Sequence, residues 1–384
     1  MMLAGDWLQK DGTQALCAAL EAAGFQALFV GGCVRNALLG EPVRDIDIAT
    51  DARPETVTEL ADRAGFRVLP TGITHGTVTV IAQGRPHEVT TFRRDLETDG
   101  RRALVAFGTS LTEDAARRDF TMNALYMDRR GQVLDPLGGM ADLLAGRLRF
   151  VGDAQARIRE DHLRILRFFR FYAWYGDPVQ GPDAEGLAAC AALAEGVESL
   201  SRERIGAEMR KLLSAPDPAP AIASMAAAGV LVRVLPGAET AALAPLVHLE
   251  GADPVRWLRR LAVIGGVDAG ENLRLSRAEN VTVAQIRDAI GSASAPAALG
   301  WQLGADNATD AILARAAVLQ STLPPDWQAE IQRGAKSRFP VRAGDLMPDL
   351  QGPALGHRLK ELQTRWLASD LHLSKPALLQ GSDD

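Results

Sequence analysis

Residues 28–50 read LFVGGCVRNALLGEPVRDIDIAT, and the parsing of the whole chain starts from this stretch. The run Leu28-Phe29-Val30 is β-prone and apolar; it stops at Gly31-Gly32, after which Val34–Leu39 takes helical spacing. A strand, a Gly-Gly turn and a helix start bring backbone N–H groups and the positive end of the helix dipole to one point, where an anion can sit. The spacing is not G-x-G-x-x-G, which argues against a dinucleotide cofactor. Twelve residues after Gly32 comes Arg44-Asp45-Ile46-Asp47-Ile48-Ala49. Strand residues two apart share a face, so Asp45 and Asp47 are expected to project together while Ile46 and Ile48 turn to a core. Two carboxylates on one face repel unless a cation lies between them. Hard oxygen donors suit magnesium or manganese, which hold substrate phosphates and activate an attacking hydroxyl. Glu88, in the strand candidate Glu88–Phe92, is a candidate third carboxylate.

Further strands are expected at Asp45–Thr50, Phe66–Leu69, Gly76–Ala82 and Ala124–Asp128, interleaved with helices at Asp6–Ala23 and Pro54–Ala64. Beyond Leu143 the β signals fade. Apolar residues there recur at helical spacing through Ala154–Trp174, Ala184–Leu193, Ser201–Leu213 and Ala221–Val232, with Pro216, Pro218 and Pro220 marking a joint. The fold class is therefore α+β, an α/β head followed by helices.

Two charged segments carry more chemistry. In RRDFTMNALYMD, residues 117–128, Arg118 can bind phosphate, and Asp119 and Asn123 can hydrogen-bond a ribose hydroxyl. Along 160–170 a helical period sets Asp161 and Arg164 one turn apart, with Arg167 a turn further. Arg170 lies roughly 180° from Asp161 and is left either to a phosphate or to support of the helix. From Arg147 to Arg170 there are seven arginines against three acids, in a chain of net charge −6. That local excess points to a polyanionic substrate. A carboxylate only accepts and a guanidinium only donates, so Asp161 with Arg164 complements a base edge pairing an amino donor with a bare ring nitrogen. Cytosine and adenine offer that edge. Uracil and guanine would leave buried groups unpaired, at about 1–3 kcal/mol each.

The stretch at 28–50 resembles the head signature of the class II CCA-adding tRNA nucleotidyltransferases and bacterial poly(A) polymerases, in the polymerase-beta-like superfamily. HGTVTV at 75–80, EVTTFR at 88–93, RRDFTMNALYMD, DPLGGMADL at 135–143 and EDHLRILRFFRF at 160–171 follow in the family's order. The resemblance covers roughly residues 25–215. It implies a polymerase-beta-like nucleotidyltransferase head (1–143), a helical neck that recognises the base (144–215) and a helical body and tail that bind tRNA (216–384). It further implies two magnesium ions on Asp45 and Asp47, with CTP and ATP as substrates. The triphosphate would lie against Gly32, Arg35 and Arg118, and the base against Asp161 and Arg164. Residues 94–102 resemble the flexible loop of enzymes that complete CCA. Asn36 departs from the family, which more often has an acid there. A poly(A) polymerase and a non-catalytic RNA-binding relative are the alternatives, and the oligomeric state stays open.

Composition agrees. Charged residues make up 23% and apolar residues 47% of the 384, the balance of a globular protein. Three scattered cysteines fit neither a disulfide framework nor a zinc site and point to a reducing cytoplasm. There is no secretory pattern and no apolar run long enough to span a membrane, so membrane association is not expected. No His-Asp dipeptide occurs, which argues against an appended metal-phosphohydrolase domain.

Overall fold

Leu28, Phe29 and Val30 are all buried, as a strand paired on both edges and covered on both faces must be. In the computed structural model, which describes residues 2–73, 76–99 and 102–380, this strand is β1. It sits in a seven-stranded sheet of order β3-β4-β5-β2-β1-β8-β9. The other strands are β2 (Asp47–Thr50), β3 (Arg67–Gly72), β4 (Thr77–Ala82), β5 (Arg85–Thr91), β8 (Tyr126–Met127) and β9 (Val133–Leu134). Only β2 and β5 run parallel; the other neighbours are antiparallel. β4 shows the expected alternation, with Val78, Val80 and Ala82 buried between half-buried residues. Leu28, Val30, Ala49, Phe92, Ala124 and Tyr126 form one core cluster.

Helices α1 (Asp11–Ala22), α2 (Gly32–Leu39) and α3 (Pro54–Arg63) accompany the sheet. The leading helix begins at Asp11 rather than Asp6, after a turn that sets Trp7 edge-on against Phe29 with ring centroids 5.0 Å apart. Of the stretch 94–102, expected as a loop, residues 94–99 fall in β6 (Arg93–Asp99) and Arg102 opens β7 (Arg102–Phe107), two strands that pair antiparallel. Gly100 and Arg101 of that stretch, and His75 of the 75–80 motif, lie outside the described residues.

After β9 no sheet strand occurs among the described residues, and the chain is helical. Its helices include α4 (Leu111–Ala116), which precedes β8, then α5 (Gly139–Leu144), α6 (Ala154–Glu160), α7 (Leu163–Tyr175), α8 (Ala184–Ala192) and α9 (Arg202–Leu213). The single helix expected over 154–174 is broken in two: Asp161 has extended backbone (φ −155°, ψ 105°) and ends α6. Aromatic rings bind the helices to the head; Phe150 stacks on Phe168 at 5.6 Å and meets Phe120 at 4.9 Å.

The chain forms two compact units. One runs through Glu208 and adds Pro220–Val234; the other comprises Met209–Ala219 and the chain from Leu235. The second is all-helical. In it, Arg259 and Arg260 are buried to 1% exposure, too costly for a charge without partners. Arg260 donates to Glu250 and to the carbonyls of Leu213, Ala215 and Pro216, so it satisfies the last carbonyl of α9 and two just beyond its end. Arg259 pairs with Glu250 and Asp310.

Candidate active site

The chain leaves β1 through Gly31, whose φ of 71° lies in the region that a side chain resists. A Cβ there would also stand 3.5 Å from Arg118 Nη1. The turn therefore needs glycine and runs beside a guanidinium. α2 starts at once, and its first-turn N–H groups lack intrahelical acceptors by construction.

Asp47 opens β2 and is in register with Glu88 on the parallel neighbour β5, so the two carboxylates share a face. Asp45 differs from expectation: it lies on a bend ahead of the strand, exposed, and strand alternation does not orient it. It nevertheless shares a cavity of about 400 Å³ with Asp47, Gly32, Arg35, Asn36, Arg44 and Trp174. Burial raises the Asp47 carboxyl, the charges of Glu88 and Asp45 raise it further, and Arg118 opposes them; it is pushed up to about 6. One half-buried and two exposed carboxylates, crowded by like charge, are oxygen donors of the kind a divalent cation takes. Among the described residues no group of three or more His, Cys, Asp or Glu side chains is arranged to hold a metal, so Glu88 does not complete a formed triad with the aspartates.

Arg118 leans on Tyr126, donating from Nε to its hydroxyl at 3.0 Å, and pairs with Asp114 at 3.1 Å. Asp114 is 1% exposed. Burial acts to raise its carboxyl, but Arg118 and Arg117 outweigh that and hold it below the usual range. The remaining residues of this region form one chain of bonds. Arg35, 7% exposed, donates from Nη1 to Asn123 Oδ1 at 2.5 Å and from Nη2 to the Tyr175 hydroxyl at 2.8 Å, with its guanidinium 4.1 Å from the Tyr175 ring centre. Asn123 Nδ2 donates to Asp119 Oδ1 at 3.0 Å, and Asp119 Oδ2 accepts two bonds from Arg167. Burial acts to raise Asp119, yet Arg167 and the N–H donors hold it low. Arg35, Asn123, Asp119 and Arg167 thus spend these bonds on one another and tie α2 to α7.

The break between α6 and α7 changes the geometry expected of Asp161 and Arg164. Asp161 Oδ1 accepts from the Leu163 N–H at 3.0 Å and so caps α7, and its Oδ2 accepts from Arg204 at 2.7 Å. Arg164 pairs with Glu160 and donates to the Arg157 carbonyl at 2.8 Å and the Arg117 carbonyl at 3.3 Å. The two are neighbours across a helix start, not partners one turn apart on a continuous helix. Arg170 donates to the buried Glu208 at 2.5 Å and stacks 4.2 Å from the Phe171 ring centre, in a contact that supports the helix. Sequence reasoning missed Asp114, Arg204, Trp174 and Tyr175. Tyr126 stood inside a quoted motif, but Arg204 is 43 residues from Asp161 and carries no local signal.

Residues 27–149 match the family described as Poly A polymerase head domain, and residues 182–241 match that described as Probable RNA and SrmB- binding site of polymerase A. A CCA-adding enzyme of Leuconostoc citreum is 43% identical over 220 residues, 57% of this chain and 53% of that protein. One of Streptococcus sanguinis is 47% identical over 199 residues, 51% of this chain and 48% of that protein. The chain spans about half the length of the curated relatives it matches. Among solved structures, the Bacillus stearothermophilus CCA-adding enzyme in complex with CTP superposes with a TM-score of 0.73 at 28% identity, over 94% of this chain and 93% of that one. The Thermotoga maritima CCA-adding enzyme complexed with tRNA, at 19% identity and a TM-score of 0.67 over 96% and 93% of the two chains, shares the fold.

Proposed function

We propose, from a poly A polymerase head domain whose paired aspartates open onto a cavity beside a Gly-Gly turn, that this chain is a CCA-adding tRNA nucleotidyltransferase. The observation that carries the reading is the meeting of Asp45, Asp47 and Gly32 in one cavity of about 400 Å³. Residues 1–143 supply the transfer chemistry, 144–215 the choice of base, and 216–384 the grip on tRNA.

Asp45 and Asp47 would hold two magnesium ions, with manganese as a substitute and Glu88 as a flanking carboxylate. Ions held there would supply Lewis-acid chemistry, lowering the pKa of the RNA 3′-hydroxyl and offsetting charge on the departing pyrophosphate. The protein's own groups do the rest. The N–H groups at Gly32 and the Arg118 guanidinium receive the triphosphate, and Arg35 holds the turn in place through Asn123 and Tyr175. Asp119 and Asn123 present the sugar-facing edge, braced by Arg167. Asp161 and Arg164 read the base. For that, Arg164 must share its donors between Glu160 and the nucleotide, while Arg170 supports the helix through Glu208 and Phe171. Catalysis depends on placing the reacting groups and stabilising charge, with no covalent enzyme intermediate.

Among the described residues no helix is long and apolar enough to cross a membrane. Cys17, Cys33 and Cys190 are buried and free, which suits a cytoplasmic enzyme. The test is incubation with tRNA that ends before CCA, supplying each nucleotide alone and then CTP with ATP. CTP is expected to add alone, ATP only after it, and UTP and GTP not at all. Long adenylate tails from ATP alone would make the chain a poly(A) polymerase. No magnesium-dependent incorporation would make it a non-catalytic RNA-binding relative.

A further inference from the structure

Trp174 lines the same cavity as Asp45 and Asp47, at the far end of α7 from the base-reading pair. Its side chain is 42% exposed, unusual for the largest apolar ring on a helix that buries most of its aromatics. The ring is also braced. Tyr175 lies 6.5 Å from it between centroids, Phe171 lies 5.7 Å from Tyr175, and the Arg35 guanidinium covers Tyr175 at 4.1 Å. The exposed Arg44 lines the same cavity. An aromatic face, an exposed cation and two carboxylates around about 400 Å³ form a space for one nucleoside, at the small end of ligand pockets.

Two nucleotides must meet at the carboxylates: the incoming triphosphate and the RNA terminus that attacks it. Arg164 and Trp174 are ten residues apart on α7, about 15 Å at 1.5 Å per residue, and neither Asp161 nor Arg164 lines the cavity. A base read at Arg164 cannot also stack on Trp174. We propose that Trp174 is the stacking platform for the 3′-terminal base of the RNA acceptor, with Arg44 facing the adjoining phosphate, so that the terminal hydroxyl is delivered to Asp45 and Asp47. The assignment rests on the nucleotidyl-transfer reading above and on Asp161 and Arg164 as the readers of the incoming base. Stacking on an aromatic ring tolerates any base, which suits an acceptor whose last nucleotide changes with each addition.

The test compares wild type, Trp174→Ala and Trp174→Phe in single C addition to tRNA ending before CCA, varying RNA and CTP separately. Trp174→Ala should raise KM for RNA about tenfold and leave KM for CTP within about twofold, with Trp174→Phe close to wild type. Without nucleotides, adding the same RNA should quench wild-type tryptophan fluorescence more than that of Trp174→Phe. A rise in KM for CTP alone would assign the ring to the incoming base and overturn the proposal, as would unchanged constants in Trp174→Ala. If wild type incorporates no nucleotide, the catalytic reading fails by itself. The difference in quenching between wild type and Trp174→Phe then still decides whether RNA stacks on this ring.

Discussion

Asp47 is held at a cost in free energy that its surroundings explain. Its carboxyl is raised to about 6 by burial and by the charges of Glu88 and Asp45, so the folded protein favours the protonated form. A raised carboxyl contributes stability that is full below its unfolded value near 3.8 and is lost as pH rises through about 6. In metal-free protein, Asp47→Asn should therefore raise the melting temperature at pH 8, by the equivalent of about 1–2 kcal/mol after allowance for partial exposure, and change it little at pH 4. The same variant should lose the nucleotide addition proposed above, and added magnesium should raise the melting temperature of wild type but not of the variant. Thermal melts at the two pH values, with and without the ion, check both outcomes. At this scale much was legible in the sequence: D-x-D after a strand and a Gly-Gly turn named the carboxylates. The partners of the flanking residues were less legible: Asp114 sits one turn before Arg118 and was passed over, and Arg204 reaches Asp161 from 43 residues away, through tertiary packing alone.

Elements were harder to read where two signals conflict. Residues 154–174 keep helical periodicity throughout, yet the helix breaks at Asp161 because its side chain bonds the Leu163 N–H, a local alternative to the helical ladder. Periodicity reports which face is buried and does not register a single residue that leaves the helix. Residues 94–99 departed for the opposite reason: a polar run without apolar alternation looks like a loop, and strand pairing with 102–107 holds it as β6. The break is packed from outside. Gly196 passes so close to His162 that a Cβ would fall 2.0 Å from the imidazole Cδ2. Gly196→Ala should push His162 away, cost about 1–3 kcal/mol, and disturb the neighbouring Asp161. The expected signature is a loss of discrimination against UTP larger than the loss of CTP turnover, measured in a four-nucleotide incorporation assay.

At the scale of the molecule, the α+β architecture was readable from where β signals stop, but the role of the arginines was not. The sequence shows only their density near 147–170. The structure pairs Arg147 and Arg149 with Asp142, Arg167 with Asp119 and Arg170 with Glu208, acids that all lie outside that window. The same economy governs the second unit, where Arg260 closes the end of α9. Arg260→Met should lower that unit's stability by about 3–5 kcal/mol, because Glu250 loses a partner and three carbonyls lose their donor. Chemical denaturation of the full chain reads this as a lower midpoint. The inward pairing also has an electrolyte consequence. A guanidinium already neutralised inside the fold displaces no cations from RNA, so tRNA affinity should decline gently with added potassium chloride. A log–log slope no steeper than about −4, roughly four to five phosphates, is expected from a chain with 37 arginines.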